Sequence, residues 1–232
     1  MSQSSSGKPT DRRSRRQEQT RKRLVDAAHV LIAERGLGNV TIAEITEQAD
    51  VGAGTFYNYF PNREAVVQAA VDDAIETIGV RFDALTREMT DPAEVVASSL
   101  RHLMGAALSD KVWGRFVVQL GLAHPALMAS LGPRAARDIG FGIDEGRFDV
   151  PDLAMAADIV FGSLLSAIHS YYTAGADPDS AVHLAEYNLR MLGLTPADAA
   201  EVCRRPLPDL PSFDDARHLE PRPFGPAAQR IR

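Results

Sequence analysis

Apolar positions recur along most of this chain at the three-to-four-residue spacing of helices that bury one face. Leu24, Ala27, Ala28, Leu31 and Ile32 follow it, and Gly36 stops the helix they predict. Thr41-Ile42-Ala43-Glu44 reads as a capping box: the Thr oxygen takes the amide three residues on, and Glu reaches back. A short helix follows, Gly52 marks a turn, and a second short helix runs to about Phe60. Pro61-Asn62 restarts the chain, with Asn62 as N-cap of a helix carrying Val67, Val71, Ala74, Ile75 and Ile78. Asp91-Pro92 opens another, a cap residue followed by Pro at the first helical position. Ser109-Asp110 opens one through Leu122, interrupted at His124-Pro125, and a segment broken at Gly132, Gly140 and Gly142 runs to about Gly146. Asp152 begins the longest apolar helix, with Leu153, Ala156, Ala157, Val160, Phe161, Leu164, Leu165 and Ile168 on its stripe. Asp177-Pro178 and Thr195-Pro196 repeat the cap-plus-Pro signal, the first for a helix ending at Gly193. No strand-like alternation competes, so an all-α protein is expected.

The two ends break the pattern. Residues 1–16 are rich in Ser, Gly, Pro and Arg, which predicts a disordered basic arm, and residues 206–232 predict a disordered Pro/Arg-rich tail. Between them, residues 17–63 form one expected helical domain and residues 64–205 a larger one. Charge is segregated in the same way. Residues 1–23 hold eight Lys/Arg against two Asp/Glu, so the net −6 of the chain conceals a basic tip of +6 on a body of −12. Such a molecule meets a polyanion at one end only.

Other classes of function lose ground on inventory. Cys203 is the single cysteine, which excludes an internal disulfide and a Cys-based zinc site and fits a reducing cytoplasm. The polar start lacks a signal peptide's apolar core, and no apolar stretch is expected to reach the roughly 18 residues of a membrane span. A soluble cytoplasmic protein without a membrane partner is therefore expected. The six histidines show no HExxH or paired-ligand spacing, and neither a phosphate loop nor a nucleophile elbow is present. No enzyme activity, cofactor or metal is expected, and His169 is expected to be a core or pocket residue.

The stretch Thr41 to Glu64 carries the most information. Two short helices joined by a Gly-containing turn and ending in an aromatic cluster are how a helix-turn-helix presents a recognition helix to the DNA major groove. Arg12 to Arg23 supplies phosphate-seeking charge just upstream, or else forms a solvated tail. These residues resemble the tetracycline-repressor (TetR) family of bacterial transcription regulators. The matching residues are Arg21-x-x-Leu24-x-x-Ala27-Ala28, Glu34-x-Gly36, Thr41-x-x-x-Ile45 and Ala49-x-Val51. They continue as Gly54-Thr55-Phe56-Tyr57-Asn58-Tyr59-Phe60 and Arg63-Glu64-Ala65-Val66, so the likeness spans about residues 17–75. Departures are Thr46, Asp50, Gly52 and Arg63, where the family usually has Ala, Gly, Ser and Lys. Asp50 calls for left-handed backbone in the turn, and Gly52 forgoes a Ser cap.

The resemblance implies a three-helix DNA-binding domain followed by a larger helical ligand-binding and dimerisation domain. It assigns DNA contact to Thr41 and Ile42, to Ala53, Gly54, Thr55, Tyr57, Asn58 and Tyr59 on the recognition helix, and to Arg63. The chemistry agrees: hydroxyls and Arg63 suit phosphates, Asn58 suits adenine, and Ala53 and Gly54 allow close approach. Phe56 and Phe60 are expected in the core. Tyr57 and Tyr59 have packing as their alternative.

In the body, Leu103, Met104, Trp113, Phe116, Val117, Leu120, Phe161 and Leu165 are the candidate ligand-binding residues, either enclosing an apolar cavity between helices or simply packing together. No basic cluster is apparent among these helices, so a small, largely apolar effector is expected, with Arg101 and Arg115 available to a carboxylate. Helices 152–174 and 178–193 are the expected homodimer interface, with Leu164, Tyr171, Leu184 and Leu192 filling its seam. The implied function is a homodimeric, ligand-responsive regulator, a repressor, that binds a pseudo-palindromic operator. An effector-independent architectural DNA-binding protein is the alternative.

Overall fold

A computed structural model describes residues 9–121, 125–175, 177 and 179–230. Its helices in chain order are α1 (Pro9–Arg35), α2 (Ile42–Gln48), α3 (Ala53–Phe56), α4 (Arg63–Thr86), α5 (Pro92–Ser109) and α6 (Lys111–Leu120). They continue as α7 (Pro125–Asp144), α8 (Leu153–Ala174), α9 (Ser180–Met191), α10 (Pro196–Arg204), α11 (Phe213–Ala216) and α12 (Pro226–Gln229). No strand occurs among the described residues. Contacts divide the chain into two compact units, residues 1–73 and 74–232, and the division falls inside α4.

Helix starts follow the local chemistry. Thr41 and Glu44 close a capping box on α2. Asn62 accepts the Ala65 amide at 2.9 Å, Asp91 the Ala93 amide at 3.0 Å and Asp152 the Met155 amide at 3.0 Å. Thr195 caps α10, with Pro196 at its first position. Each side chain satisfies an amide that the helix itself leaves unpaired.

Four expectations change. Residues 9–16, expected in a disordered arm, are the first turns of α1; Pro9 is tolerated at a helix start, and no Gly or Pro follows until Gly36. Residues 1–8 of that arm lie outside the described residues, as do Leu122 to His124 and Pro178. Residues 206–230, expected to lack structure, carry α11 and α12 and are pinned to the body by side chains remote in sequence. The glycines of α7 do not break it: Gly140 and Gly142 are buried where neighbours approach closely. Finally, α8 is long and apolar enough by composition to match a membrane span, and nearly half of that length is buried among other helices as a core element.

In the second unit α5 is the hub, packing against α6, α7, α8, α9 and α10, while α7 also packs on α8 and α12. The second half of α4 behaves differently. Among the described residues its backbone keeps a wider spacing from the other helices, Ile75, Ile78, Phe82 and Leu85 bury its apolar face, and polar side chains tie it to α7 and to the tail.

An ion cluster ties the start of α5 to α10. Arg205 pairs with Asp91, Glu94 and Glu201, and Arg147 pairs with Asp91 and Asp198. Burial raises the Asp91 carboxyl, but the Arg205 hydrogen bond, the Ala93 amide and Arg147 outweigh it and hold the group below its ordinary value. A carboxylate held low contributes stability above the unfolded value of about 4 and loses it as pH falls through its own lower pKa. Asp91→Asn keeps the cap and loses the charge, so it should cost about 1 kcal/mol at neutral pH after allowing for solvent screening. In urea unfolding that difference should begin to shrink as pH falls below about 4 and keep shrinking with further acidification; a difference that stayed constant through the acid range would show that these pairs are not its source.

Candidate nucleic-acid interface and buried cavity

The first unit closes on an apolar centre from every helix: Leu24, Ala28 and Ile32 of α1, Ile45 of α2, Phe56 of α3, Phe60, and Val66 of α4. Phe56 and Phe60 lie ring against ring at 5.9 Å, both buried as expected. The turn from α2 to α3 passes through Asp50 at φ 49°, left-handed backbone that Asp tolerates better than most residues. Arg23 of α1 donates to the Asp50 carbonyl at 2.8 Å and to its carboxylate at 3.1 Å, tethering the turn. Gly52 starts α3 without a side-chain cap.

That scaffold leaves Ala53, Gly54, Thr55, Tyr57 and Asn58 exposed on one short segment, with Tyr59 half-buried behind them. Tyr57 is 61% exposed although its neighbour Phe56 is fully buried. Thr41 is exposed and Ile42 half-buried at the start of α2. Arg63, expected to contact DNA, has its guanidinium engaged within the protein. Its guanidinium donates to the Leu37 and Val40 carbonyls and to Glu64, holding the loop between α1 and α2. Arg13, Ser14, Gln17, Glu18 and Arg21 of α1 share an open groove with Asn58 and Tyr59, and Arg21 is held over the Phe60 ring at 5.1 Å. Arg13 and Arg21 belong to the basic run expected to meet phosphates, whereas Ser14, Gln17 and Glu18 were not anticipated in such a groove.

The second unit contains a cavity of about 80 Å³. By this measure one water needs about 10–15 Å³, so the space suits several waters or one small ring. Phe82 of α4, Leu100 and Leu103 of α5, Ile139 of α7, and Phe161 and Leu164 of α8 wall it. Three polar groups reach the same space: Ser99, Arg134 and Asp138. Ser99 Oγ is buried there without a hydrogen-bond partner among the described residues.

Arg134 and Asp138 belong to a network that joins α7 to α4. Asp83 of α4 accepts from Arg134 Nε at 2.9 Å on one carboxylate oxygen and from Arg137 at 2.6 Å on the other. Arg134 also reaches Glu76 at 3.3 Å, and Arg137 donates to Asp138 at 2.8 Å. Gly79 makes room for this approach, since a Cβ there would stand 2.5 Å from the Arg134 guanidinium carbon. Burial pushes the Asp138 carboxyl above its ordinary value, with Arg137 acting against the shift.

Of the eight candidate ligand residues, Leu103 and Phe161 line this cavity. Met104, Trp113, Phe116, Val117, Leu120 and Leu165 are buried outside its wall, and Trp113 stacks on Phe116 at 6.2 Å. The expectation that no basic cluster sits among these helices is corrected by Arg134 and Arg137. Arg101 is occupied by the Arg205 carbonyl, and Arg115 and His169 are exposed. In the expected seam, Leu164, Leu184 and Leu192 are buried in their own chain, whereas Met155, Ile159 and Tyr187 point outward. Among the described residues no group of three or more His, Cys, Asp or Glu converges as metal ligands would.

A helix-turn-helix unit followed by an all-helical body defines a class of DNA-binding transcription regulators. Two family models agree with that class: bacterial regulatory proteins of the TetR family match residues 24–70, and the tetracycline repressor-like C-terminal domain matches residues 91–205. RolR in complex with resorcinol is 48% identical, with a TM-score of 0.69 over 85% of this chain and 100% of that one. The regulator BetI of Brucella canis is 24% identical over 174 residues, 71% of this chain and 86% of its own. FadR of Bacillus subtilis, solved with stearoyl-CoA, is 22% identical with a TM-score of 0.64 over 75% of this chain and 99% of that one, a likeness of fold. The chain belongs to the TetR family, whose members are regulators rather than enzymes.

Surface and core should separate cleanly in the first unit. Tyr57→Ala should leave thermal unfolding unchanged and weaken DNA binding about tenfold, read by anisotropy on duplexes selected by the wild-type protein. Phe56→Ala should cost about 3–5 kcal/mol of stability. A fall in unfolding temperature for Tyr57→Ala would assign Tyr57 to packing instead.

Proposed function

We propose that this protein is a repressor that leaves its operator when a small hydroxylated aromatic molecule, of the resorcinol class, enters the body. One observation carries the reading: a cavity of about 80 Å³ with apolar walls that also exposes a hydroxyl, a guanidinium and a carboxyl. Phe82, Leu100, Ile139 and Phe161 suit an aromatic ring, while Ser99, Arg134 and Asp138 suit hydroxyls, which both donate and accept. The 48% identity to RolR, solved with resorcinol, supports the same chemistry. An architectural role without an effector gives such a cavity no purpose.

Arg134 provides the route outward. It faces the cavity and bonds Asp83 and Glu76 of α4, so a hydroxyl that recruits it competes with its hold on α4. That helix runs unbroken from Arg63 to Thr86 and belongs to both units, so a shift of its cavity end biases the recognition segment. The protein works as a homodimer in the cytoplasm on a pseudo-palindromic operator. Met155, Ile159 and Gly162 of α8 and Tyr187 of α9 form an exposed, partly apolar face suited to the interface. Pairing brings two recognition segments to half-sites about 34–36 Å apart or somewhat more.

Titration calorimetry with resorcinol, benzene and stearoyl-CoA tests the effector class. Resorcinol should bind and displace the protein from selected DNA, benzene should bind more weakly, and stearoyl-CoA should not bind. Asp138→Asn should weaken resorcinol about tenfold or more, the worth of a charged hydrogen bond, and leave benzene unchanged. Resorcinol binding no tighter than benzene, or without release of DNA, would sink the reading. Sedimentation reads the assembly: Ile159→Glu should yield monomers, and an unaltered dimer would move the interface elsewhere.

A further inference from the structure

The segment beyond Arg205 lies outside both matched family models, yet it is built into the second unit along its length. His102 Nε2 meets the Pro208 carbonyl at 2.7 Å, and Arg81 Nε donates to the Pro211 carbonyl at 2.7 Å. Further on, Arg222 donates from one nitrogen to the Thr86 carbonyl at 2.7 Å and the Met89 carbonyl at 2.6 Å. Those acceptors stand at the C-terminal end of α4, where a helix leaves carbonyls unpaired and favours a cation. The last turn of α4 carries no basic residue of its own. The same guanidinium lies over the Phe141 ring of α7 at 4.0 Å, one turn past Asp138. α12 then docks on α7: the Ala227 amide donates to Asp144 at 3.0 Å, and Ala228 packs so closely on Gly140 that a Cβ there would stand 2.9 Å away.

We propose that residues 206–230 are a strap whose clasp, Arg222, fastens the end of α4 to α7 and so positions the walls of the effector cavity. The inference rests on the cavity reading above and extends it to a segment that touches no part of the cavity. α4, α5 and α7 each contribute cavity wall, and each is held from outside by the strap. The need for a clasp lies at the end of α4, whose last carbonyls have no basic residue of that turn to meet them and are met by Arg222. Arg222 acts through α4 and α7 and is a positioning residue. Its charge is also felt by Asp138, where it works against the upward push of burial.

Two measurements on the full chain test the strap. Hydrogen–deuterium exchange without effector should show faster exchange in the last turns of α4 for Arg222→Ala than for wild type, with α8 unchanged. Resorcinol titration, well below the unfolding temperature, should show binding weakened on the order of tenfold in Arg222→Ala. Arg222→Lys, which keeps a cation for the carbonyls but not a flat face for Phe141, should recover part of the loss, and it serves as the test variant if Arg222→Ala does not fold. Unchanged exchange at the end of α4 overturns the strap, as does unchanged resorcinol affinity in a folded variant. Wild-type protein that ignores resorcinol would count against the proposed effector, and exchange alone would then decide the strap.

Discussion

The carboxylate of Asp83 joins α4 to α7 and ties both to the wall of the cavity. Each of its oxygens takes a guanidinium from α7, Arg134 on one side and Arg137 on the other, in a site where Asp83 is 6% exposed. Removing one partner from such a cluster leaves a buried charge uncompensated, typically at about 3–5 kcal/mol. Apolar packing of equal volume would hold two helices at less risk. In the proposed response such a charged joint opens when Arg134, which also lines the cavity, is offered another acceptor. α4 is held at that joint by buried apolar side chains, Ile78 and Phe82 among them, as well as by the ion pairs.

The first unit is built on the opposite plan. Its aromatic pair is buried, its turn is tethered by Arg23, and its loop is held by Arg63. A surface that must fit DNA gains from rigidity, because flexible contacts lose entropy on binding. Arg23 and Arg63, cationic residues on either side of the exposed segment, serve its shape by bonding backbone carbonyls. Ala53, Gly54, Thr55, Tyr57 and Asn58 between them stay exposed.

What could be foreseen from sequence was local. Helix caps at Thr41, Asn62, Asp91, Asp152 and Thr195 depend on a few adjacent residues, and the left-handed Asp50 follows from its place in the turn. The helical start of α1 was legible too, in the uninterrupted run from Thr10 to Arg35, but Arg-rich composition obscured it. The cavity was not legible. Its walls depend on which faces of α4, α5, α7 and α8 turn toward one another, and the bulky residues that suggested a pocket, Trp113 and Phe116, fill space against each other instead. One clue was present: Arg134, Arg137 and Asp138 share one face of α7 by their spacing, amid apolar residues. The tail misled because its prolines suggest disorder, whereas the donors that fix it lie far away in sequence at Arg81 and His102, and its own Arg222 finds distant acceptors.

The central claim is that effector and operator are linked through one protein, and linkage is reciprocal: each ligand must weaken the other by the same factor. The most direct measurement is resorcinol affinity by calorimetry, for free protein and for protein saturated with its selected operator duplex. The account predicts that operator-bound protein binds resorcinol more weakly, by the same factor by which saturating resorcinol lowers operator affinity. Equal resorcinol affinity in the two states would contradict it.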